Sequence, residues 1–255
     1  MKLSGYVCVR NGDSLDYCWE LAVSSLLPVC DEVVICDSDS TDGTKQRAEY
    51  WAAYEPKIRV INYPWPDPKG DSNWWVTWLN FARRHLKHEM QICLDADEVL
   101  SDDENCHQAV SQGLDAGMSL TFDRLNFWRD PHSLIPDGYC CGKWVTRMGP
   151  SEYHMPSDEP HHAGELPIID HAIRDSRLKI FHLGFLRKTE AFYAKAKVVL
   201  PAFFHRYDQR LEFAERDGKK VHESECEYND KLVPYHGYYP EKVIRWLNER
   251  GYEVA

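Results

Sequence analysis

The stretch VVICDSDSTDGT, residues 33–44, decides the predicted fold of this chain. It opens with an apolar run, Val33 to Cys36, which is typical of a strand buried on both faces of a sheet. A polar turn follows, in which Gly43 permits a tight backbone path, and the next residues favour a helix ending near Tyr54. The stretch therefore predicts a strand, a turn and a helix in succession, which is the repeating unit of an α/β protein.

The same order recurs on both sides of this stretch. Short apolar runs at 5–9, 57–61 and 90–94 predict strands, and helix-like stretches fall at 15–27, 73–87 and 101–114. This alternation predicts a mainly parallel central sheet. The second half is less regular, with strands predicted at 119–128, 140–148 and 178–181 and helices at 189–203 and 240–251. We predict one α/β domain with a C-terminal helical elaboration.

Composition excludes several classes of protein. The 255 residues are 43% hydrophobic, which suits a globular core, and 30 Lys and Arg against 41 Asp and Glu give a net charge of −11. A protein that coats nucleic acid needs a basic footprint instead. No apolar run approaches the roughly 18 residues of a membrane span, and the start does not resemble a signal peptide. The nine scattered cysteines form no C-x-x-C pair. These features favour a cytoplasmic protein.

The acidic stretch LDADE, residues 94–98, is the sharpest local signal. It places Asp95 and Asp97 at the end of a predicted strand, and alternate residues of an extended segment point to the same side. Mg²⁺ and Mn²⁺ prefer oxygen ligands and reach substrate phosphates through one or two carboxylates. The alternative is an exposed acidic turn that caps the next helix.

Ligands of parallel sheets bind beyond the carboxyl ends of the strands. The residues after Val9, Cys36 and Leu94 are therefore the first places to look for a site. In the second of these segments, hydroxyl and carboxylate groups suit a ribose or base edge, and Asp37 is the best ligand candidate. The alternative is a simple helix cap.

Together these motifs resemble the family 2 glycosyltransferases of the GT-A fold. The resemblance rests on VVICDSDSTDGT, on Asn80 and on LDADE, and it recurs at 181–188 in FHLGFLRK, which looks like the H-x-G-x-x-R element of bacterial and phage-type relatives. It implies transfer of a sugar from a nucleotide-diphosphate sugar. It also implies a nucleotide-sugar-binding half over 1–115 and an acceptor half with the C-terminal helices over 116–255.

The resemblance also implies roles for individual residues. Mn²⁺ or Mg²⁺ would be held by Asp95, Asp97 and His182. Contacts to the nucleotide donor would come from Arg10, Asp37, Asp39, Asn80, Asp95 and Arg187. The sequence departs from the family just before Asn80, where basic residues are often found and WVTW, residues 75–78, stands here.

The negative charge that develops during sugar transfer explains why the reaction needs a cation and basic residues. Breaking a glycosyl–phosphate bond places negative charge on the leaving diphosphate, which a cation and a guanidinium stabilise. An inverting transfer also needs a carboxylate that deprotonates the acceptor hydroxyl. In the loop 149–167 we favour Asp158 or Glu159 for this role, ahead of His161 and His162, although a solvated loop is the simpler interpretation of all four.

Two other functions fit parts of the sequence. A sugar nucleotidyltransferase shares the architecture but needs a glycine-rich basic loop after the first strand, where only Gly12 is present. A carbohydrate-binding module would use the aromatic faces of Trp65, Trp74, Trp75 and Trp78. For a transferase, the acceptor candidates are a saccharide, a lipid-linked glycan, a protein side chain or a modified nucleobase.

Overall fold

The secondary structure alternates between strands and helices in the first half of the chain. The computed structural model describes residues 1–65, 74–136, 144–151, 172–188, 190–191, 194–195, 213–216, 219–222 and 231–254. In chain order the elements are β1 (Leu3–Val9), α1 (Trp19–Leu26), β2 (Glu32–Asp37), α2 (Thr44–Tyr54), β3 (Ile58–Asn62), α3 (Trp74–Arg84), β4 (Met90–Asp95), β5 (Glu98–Leu100), α4 (Glu104–Asp115), β6 (Leu120–Asn126), β7 (Ser133–Leu134), β8 (Trp144–Pro150), β9 (Ile173–His182), β10 (Phe213–Arg216), β11 (Lys219–His222), β12 (Val233–Pro234) and α5 (Glu241–Asn248).

Eight of the strands form one sheet in the order β3-β2-β1-β4-β8-β6-β9-β5. The first four are parallel to one another. Strand β8 runs antiparallel between β4 and β6, β9 is parallel to β6, and β5 closes the sheet antiparallel to β9. Strands β1, β2, β4, β6 and β9 therefore end at the same edge of the sheet. The predicted α/β fold with a mainly parallel central sheet is confirmed.

Apolar side chains project from both faces of the sheet and pack against helices on each side. Because successive residues of a strand point to opposite faces, Val33 and Ile35 pack with α1, α2 and α4 on one side. Val34 and Cys36 pack with α3 on the other side. This double burial explains why the strands read as continuous apolar runs in the sequence.

Two helices begin later than the sequence predicts. Helix α1 begins at Trp19 instead of Leu15 because the backbone turns first: Asp16 has φ 51°, and Tyr17 N donates to Gly12 O over 2.8 Å. Helix α4 is capped by Asp103, whose side chain accepts from Asn105 N, and not by Ser101.

The C-terminal helix α5 supports the segment that follows β9. Val243 and Leu247 are fully buried in a cluster with Phe181, Leu183 and Leu186. The described C-terminal half also contains strands, including the small sheets β10–β11 and β7–β12. None of the helices in the described residues is long and apolar enough to cross a membrane.

Candidate active site

The sheet topology brings the predicted donor-binding residues to one edge. Strand β1 pairs with β2 and β4, with Val9 opposite Asp37 and Cys8 opposite Asp95. Because neighbouring strands lie about 4.8 Å apart, Asp37 and Asp95 flank the end of β1 at about 10 Å from each other. Arg10 follows β1 at the same place.

Strands β6 and β9 bring further polar groups to this edge. Asn126 and His182 are the last residues of these strands and are paired with each other in the sheet. Glu98, the first residue of β5, is paired with His182 on the other side. The H-x-G-x-x-R element therefore begins where LDADE ends.

Arg10 stabilises the loop after β2 through hydrogen bonds. Its Nη1 donates to Ser38 O over 2.6 Å and to Asp39 O over 3.1 Å. The guanidinium lies 4.1 Å from the centroid of the Trp65 ring, a cation–π contact. Arg10 thus lies at the predicted nucleoside side of the site, with its Nη1 engaged by the protein.

Asp37 and Ser38 each carry a buried polar atom that has no hydrogen-bond partner among the described residues. Both residues are fully buried. Asp37 Oδ2 accepts from Ser40 N over 3.1 Å, whereas Asp37 Oδ1 and Ser38 Oγ have no hydrogen bond within the described part of the chain. Buried polar atoms are nearly always paired, so these two are suited to a bound ligand.

Asp39 and Asn80 are engaged within the protein. The Asp39 carboxylate accepts from Asn62 Nδ2 over 2.9 Å and from Trp65 N over 2.8 Å, and these bonds lower the pKa of Asp39. Asn80 Oδ1 accepts from Arg83 Nη1 over 3.3 Å. The observed role of Asp39 is to hold the loop that carries Trp65, and donor contacts from Asp39 and Asn80 stay predictions.

Asp95 belongs to a buried ion network. Arg147 Nη2 donates to Asp95 Oδ2 over 2.8 Å and to Glu98 Oε1 over 2.6 Å. Arg124 Nη1 also donates to Glu98 Oε1, over 3.1 Å. Burial raises the pKa of Asp95 to about 6, against the attraction of Arg147 and with the repulsion of Glu98 and Asp97. The network fixes Asp95 at the end of β4.

Asp97 lies between two cations. Its Oδ2 accepts from Arg187 Nη2 over 2.6 Å and from Lys195 Nζ over 3.0 Å, and its side chain is 7% exposed. Burial alone would raise the pKa of Asp97, but Lys195, His182 and Arg187 hold it well below its usual range. Asp97 is therefore an anion at neutral pH.

His182 presents a free lone pair to Asp97. Asn126 Nδ2 donates to Arg124 O over 3.3 Å, so its Oδ1 faces the imidazole and accepts from His182 Nδ1 over 3.0 Å. This bond places the proton on Nδ1 and leaves Nε2 as the acceptor, 3.8 Å from Asp97 Oδ1. Burial lowers the pKa of His182 to about 4, so the ring is neutral at pH 7.

A divalent cation fits between Asp97 and His182. An anionic oxygen and a neutral imidazole nitrogen face each other, and Nδ1 is anchored as in many metal-ligating histidines. Gly184 leaves room there, since a Cβ at this position would lie 2.7 Å from both Asp97 Oδ2 and His182 Nε2. Within the described residues no three His, Cys, Asp or Glu side chains converge, so donor phosphates and water would complete the coordination.

The predicted set of Asp95, Asp97 and His182 is therefore not gathered around one point. Ala96 and Asp97 form a turn after β4, so the alternation of an extended segment stops at Asp95. Asp95 consequently points to Arg147, while Asp97 points to Arg187 and Lys195.

Arg187 ties three segments together. It donates from Nε to Gly184 O over 2.6 Å, from Nη1 to Leu15 O over 3.0 Å and from Nη2 to Asp97. Its guanidinium also lies 4.3 Å from the Tyr17 ring centroid. Arg187 is 2% exposed, so the structure shows a residue that positions Asp97, and its contact with phosphates stays a prediction.

Several predicted residues lie outside the described part of the chain. Asp158 and Glu159, the predicted general bases, fall in 152–171, as do His161 and His162. Of the tryptophan cluster, Trp75 and Trp78 meet edge to face at 5.1 Å, and Trp78 Nε1 donates to Cys36 Sγ. Trp78 is therefore a core residue and not a sugar platform.

Sequence reasoning missed four charged residues of the site, Glu98, Arg124, Arg147 and Lys195. One signal was available for Arg147: a charged residue inside a predicted buried strand needs a buried partner. The sequence alone does not say that this partner lies 52 positions away in Asp95.

Part of the chain is similar to a known protein family. Residues 7–112, less than half of the chain, match the family described as Glycosyl transferase family 2. Because residues 7–112 match this family model, we refer to them below as the family 2 segment. The match agrees with the family predicted from the sequence. This segment contains the predicted metal ligand Asp97 and all of the predicted donor-binding residues except Arg187. No curated protein matches the chain.

Two solved structures are also similar to the chain. S. aureus TarS 1–349 in complex with UDP is 15% identical, with a TM-score of 0.47, and the match covers 79% of this chain and 65% of that one. The mannosyltransferase PcManGT from Pyrobaculum calidifontis in complex with GDP-Man and Mn²⁺ is 17% identical, with a TM-score of 0.49 and coverages of 79% and 63%. The chain spans less than two thirds of the length of either structure.

Proposed function

We propose that the protein transfers a sugar from a nucleoside diphosphate sugar to an acceptor hydroxyl, with a divalent cation at Asp97 and His182. The observation that carries the proposal is that Asp97 faces His182 over 3.8 Å at the sheet edge where β2 also ends with Asp37. The family 2 segment over 7–112 supports the same reaction.

The nucleoside would bind at the end of β2. Asp37 Oδ1 and Ser38 Oγ are buried there and have no hydrogen-bond partner among the described residues, so a base or ribose would supply the hydrogen bonds they lack. Arg10 and Trp65 close this side of the site. Asp95, held by Arg147, would contact the ribose.

The diphosphate would bind beside Asp97. Mn²⁺ or Mg²⁺, when bound, offsets the negative charge that develops on the leaving diphosphate. Asp97 Oδ1 and His182 Nε2 would hold the ion, while Asn126 keeps the imidazole in the tautomer that can ligate. Arg187 orients the Asp97 carboxylate by donating a hydrogen bond to its Oδ2 atom.

Lys195 couples the cation to the donor. Asp97 already contacts two positive groups, Arg187 and Lys195. A divalent cation added alone leaves this cluster with excess positive charge, which opposes binding at a buried site. The negative diphosphate removes the excess, so cation and donor bind cooperatively.

The remaining step is deprotonation of the acceptor. In an inverting transfer a carboxylate takes the hydroxyl proton as the oxygen attacks the anomeric carbon. Asp158 or Glu159 fills this role in our proposal. The acceptor would be a saccharide, a lipid-linked glycan, a protein side chain or a modified nucleobase.

Donor turnover tests the proposed function. Purified protein is incubated with a panel of nucleotide sugars and Mn²⁺, and the released nucleoside diphosphate is measured. Asp97→Asn is expected to lower the release by about a hundredfold or more, because the leaving group loses its charge stabilisation. Asp115→Asn, at the exposed end of α4, is the matched control. Wild-type release by a folded Asp97→Asn variant would refute the role of Asp97.

A further inference from the structure

A basic cavity lies beside the proposed diphosphate site. It has a volume of about 260 Å³ and is lined by Arg129, Leu186, Arg187, Lys188, Arg250 and Tyr252. Four of these six residues are cations and none is acidic, in a chain whose net charge is −11. A concentration of positive charge this far from the average of the chain is characteristic of a site for an anion.

Part of this charge is balanced within the protein. Arg250 Nη2 donates to Asp16 Oδ1 over 2.6 Å, and Arg187 is paired with Asp97. The Lys188 side chain is exposed and has no ion pair with the described residues.

The side chain of Arg250 is held in place by a tryptophan. Its guanidinium stacks on Trp246 at 3.7 Å from the ring centroid, and its Nη1 donates to Trp246 O. Its Nε is buried and has no partner within the described part of the chain. A guanidinium held in this way places a fixed positive charge at the wall of the cavity.

We propose that this cavity binds a phosphate group. Several cations around one small volume match a compact dianion with many acceptor oxygens. The phosphate belongs either to the diphosphate of the donor or to a phosphorylated acceptor, because Arg187 is shared between the cavity and Asp97. The binding stands on the cavity alone, whereas the assignment of the phosphate to the reaction rests on the proposed function.

Titration with inorganic phosphate tests the site. Calorimetry at constant ionic strength compares the wild type with Arg129→Asn/Lys188→Gln; asparagine suits the left-handed backbone of Arg129, whose φ is 57°. The variant is expected to bind phosphate about tenfold or more weakly, since it loses two charge-assisted contacts. Arg245→Gln, on the exposed face of α5, is the matched control and should bind phosphate like the wild type.

Phosphate binding by the double variant with wild-type affinity would overturn the proposal. The melting temperature of each variant verifies folding. If the double variant does not fold, Lys188→Gln alone replaces it, because that side chain is exposed and its removal does not disturb packing. A wild-type phosphate affinity of that single variant would then overturn the proposal in the same way.

A second titration identifies the source of the phosphate. Nucleoside diphosphates are titrated with Mn²⁺ present. If the double variant loses affinity for them as well as for phosphate, the cavity holds the donor; if it loses phosphate alone, the cavity holds the acceptor. Absence of any nucleotide binding by the wild type would contradict the proposed function, and it leaves the phosphate result for the cavity intact.

Discussion

Asp97 is the residue at which charge, burial and sequence motif coincide. Its carboxylate is shared between Arg187 and Lys195 on Oδ2 and faces the neutral His182 from Oδ1. Two fixed cations repel a third, so the cluster should favour the divalent ion only when negative phosphates arrive with it. This balance leads to one prediction for Lys195 and one for His182.

Lys195→Gln is expected to tighten the binding of Mn²⁺ in the absence of nucleotide by about tenfold, because it removes one positive charge next to Asp97. Direct titration of Mn²⁺, followed by the electron paramagnetic resonance of the free ion, gives the dissociation constant. Lys242→Gln, an exposed lysine on α5, is the control. An unchanged Mn²⁺ affinity in Lys195→Gln would show that Lys195 does not govern access to Asp97.

His182→Ala is expected to weaken nucleoside diphosphate binding about tenfold or more in Mn²⁺ and by a much smaller factor in EDTA, because the imidazole acts through the cation. Calorimetry in the two buffers measures the difference. His107→Ala, on α4, provides the comparison variant. Equal losses in Mn²⁺ and EDTA would make His182 a structural residue.

Single residues show how far the sequence predicts the site. Asp37 and Asp97 follow recognisable motifs, and the structure places both at the expected edge. The partners of Asp97 could not be predicted, since Arg187 and Lys195 lie 90 and 98 positions away along the chain. Asp39 matches the motif equally well, yet its carboxylate serves Asn62 and Trp65, because motif letters do not reveal which way a side chain turns.

At the scale of elements, the two edges of the sheet carry different chemistry. The carboxyl edge gathers the candidate active site. Near the opposite edge, the Glu32 carboxylate accepts hydrogen bonds from Ser4 Oγ over 2.8 Å and from Arg59 Nη2 over 3.3 Å. It also accepts a hydrogen bond from the backbone N–H of Lys87. Glu32 therefore joins the start of β2 to β1, to β3 and to the connection between α3 and β4.

Glu32→Gln is expected to lower the free energy of unfolding at pH 7 by about 1–2 kcal/mol, because charge-assisted hydrogen bonds become neutral ones. Burial raises the pKa of Glu32, but the bonds from Lys87, Ser4 and Arg59 outweigh it and lower the pKa from its ordinary 4.5. The contribution is thus complete above pH 4.5 and is lost as the pH falls through the lower folded-state pKa.

Denaturant unfolding between pH 7 and pH 3 measures this dependence. The difference between wild type and Glu32→Gln should shrink on acidification, whereas Glu241→Gln, an exposed variant on α5, should show little difference at any pH. A difference that stays constant down to pH 3 would show that the ionised form of Glu32 is not what stabilises the fold.

Most strands could be predicted from the sequence because parallel strands that are buried on both faces consist of continuous apolar runs. The pairing of β5 with β9 could not be predicted, since β5 has only three residues and its partner strand lies some eighty positions later in the chain. The start of α1 was missed because Asp16 adopts a left-handed backbone that no local residue pattern required.

At the scale of the whole molecule, both halves of the chain contribute to the proposed site. The family 2 segment supplies Arg10, Asp37 and Asp97, while β9 and the turn after it supply His182 and Arg187. Helix α5 packs behind that turn through Val243 and Leu247, so the C-terminal end of the chain supports the site. The basic cavity is linked to this site by Arg187, which lines the cavity and pairs with Asp97.

Coupled binding of cation and nucleotide tests this account most directly. Nucleoside diphosphates are titrated into the wild type and into Asp97→Asn, each in Mn²⁺ and in EDTA. We expect at least one nucleotide to bind the wild type about tenfold or more tightly in Mn²⁺, and Asp97→Asn to lose this gain. If every nucleotide bound the wild type equally in Mn²⁺ and EDTA, a shared cation and diphosphate site at this edge of the sheet would be contradicted.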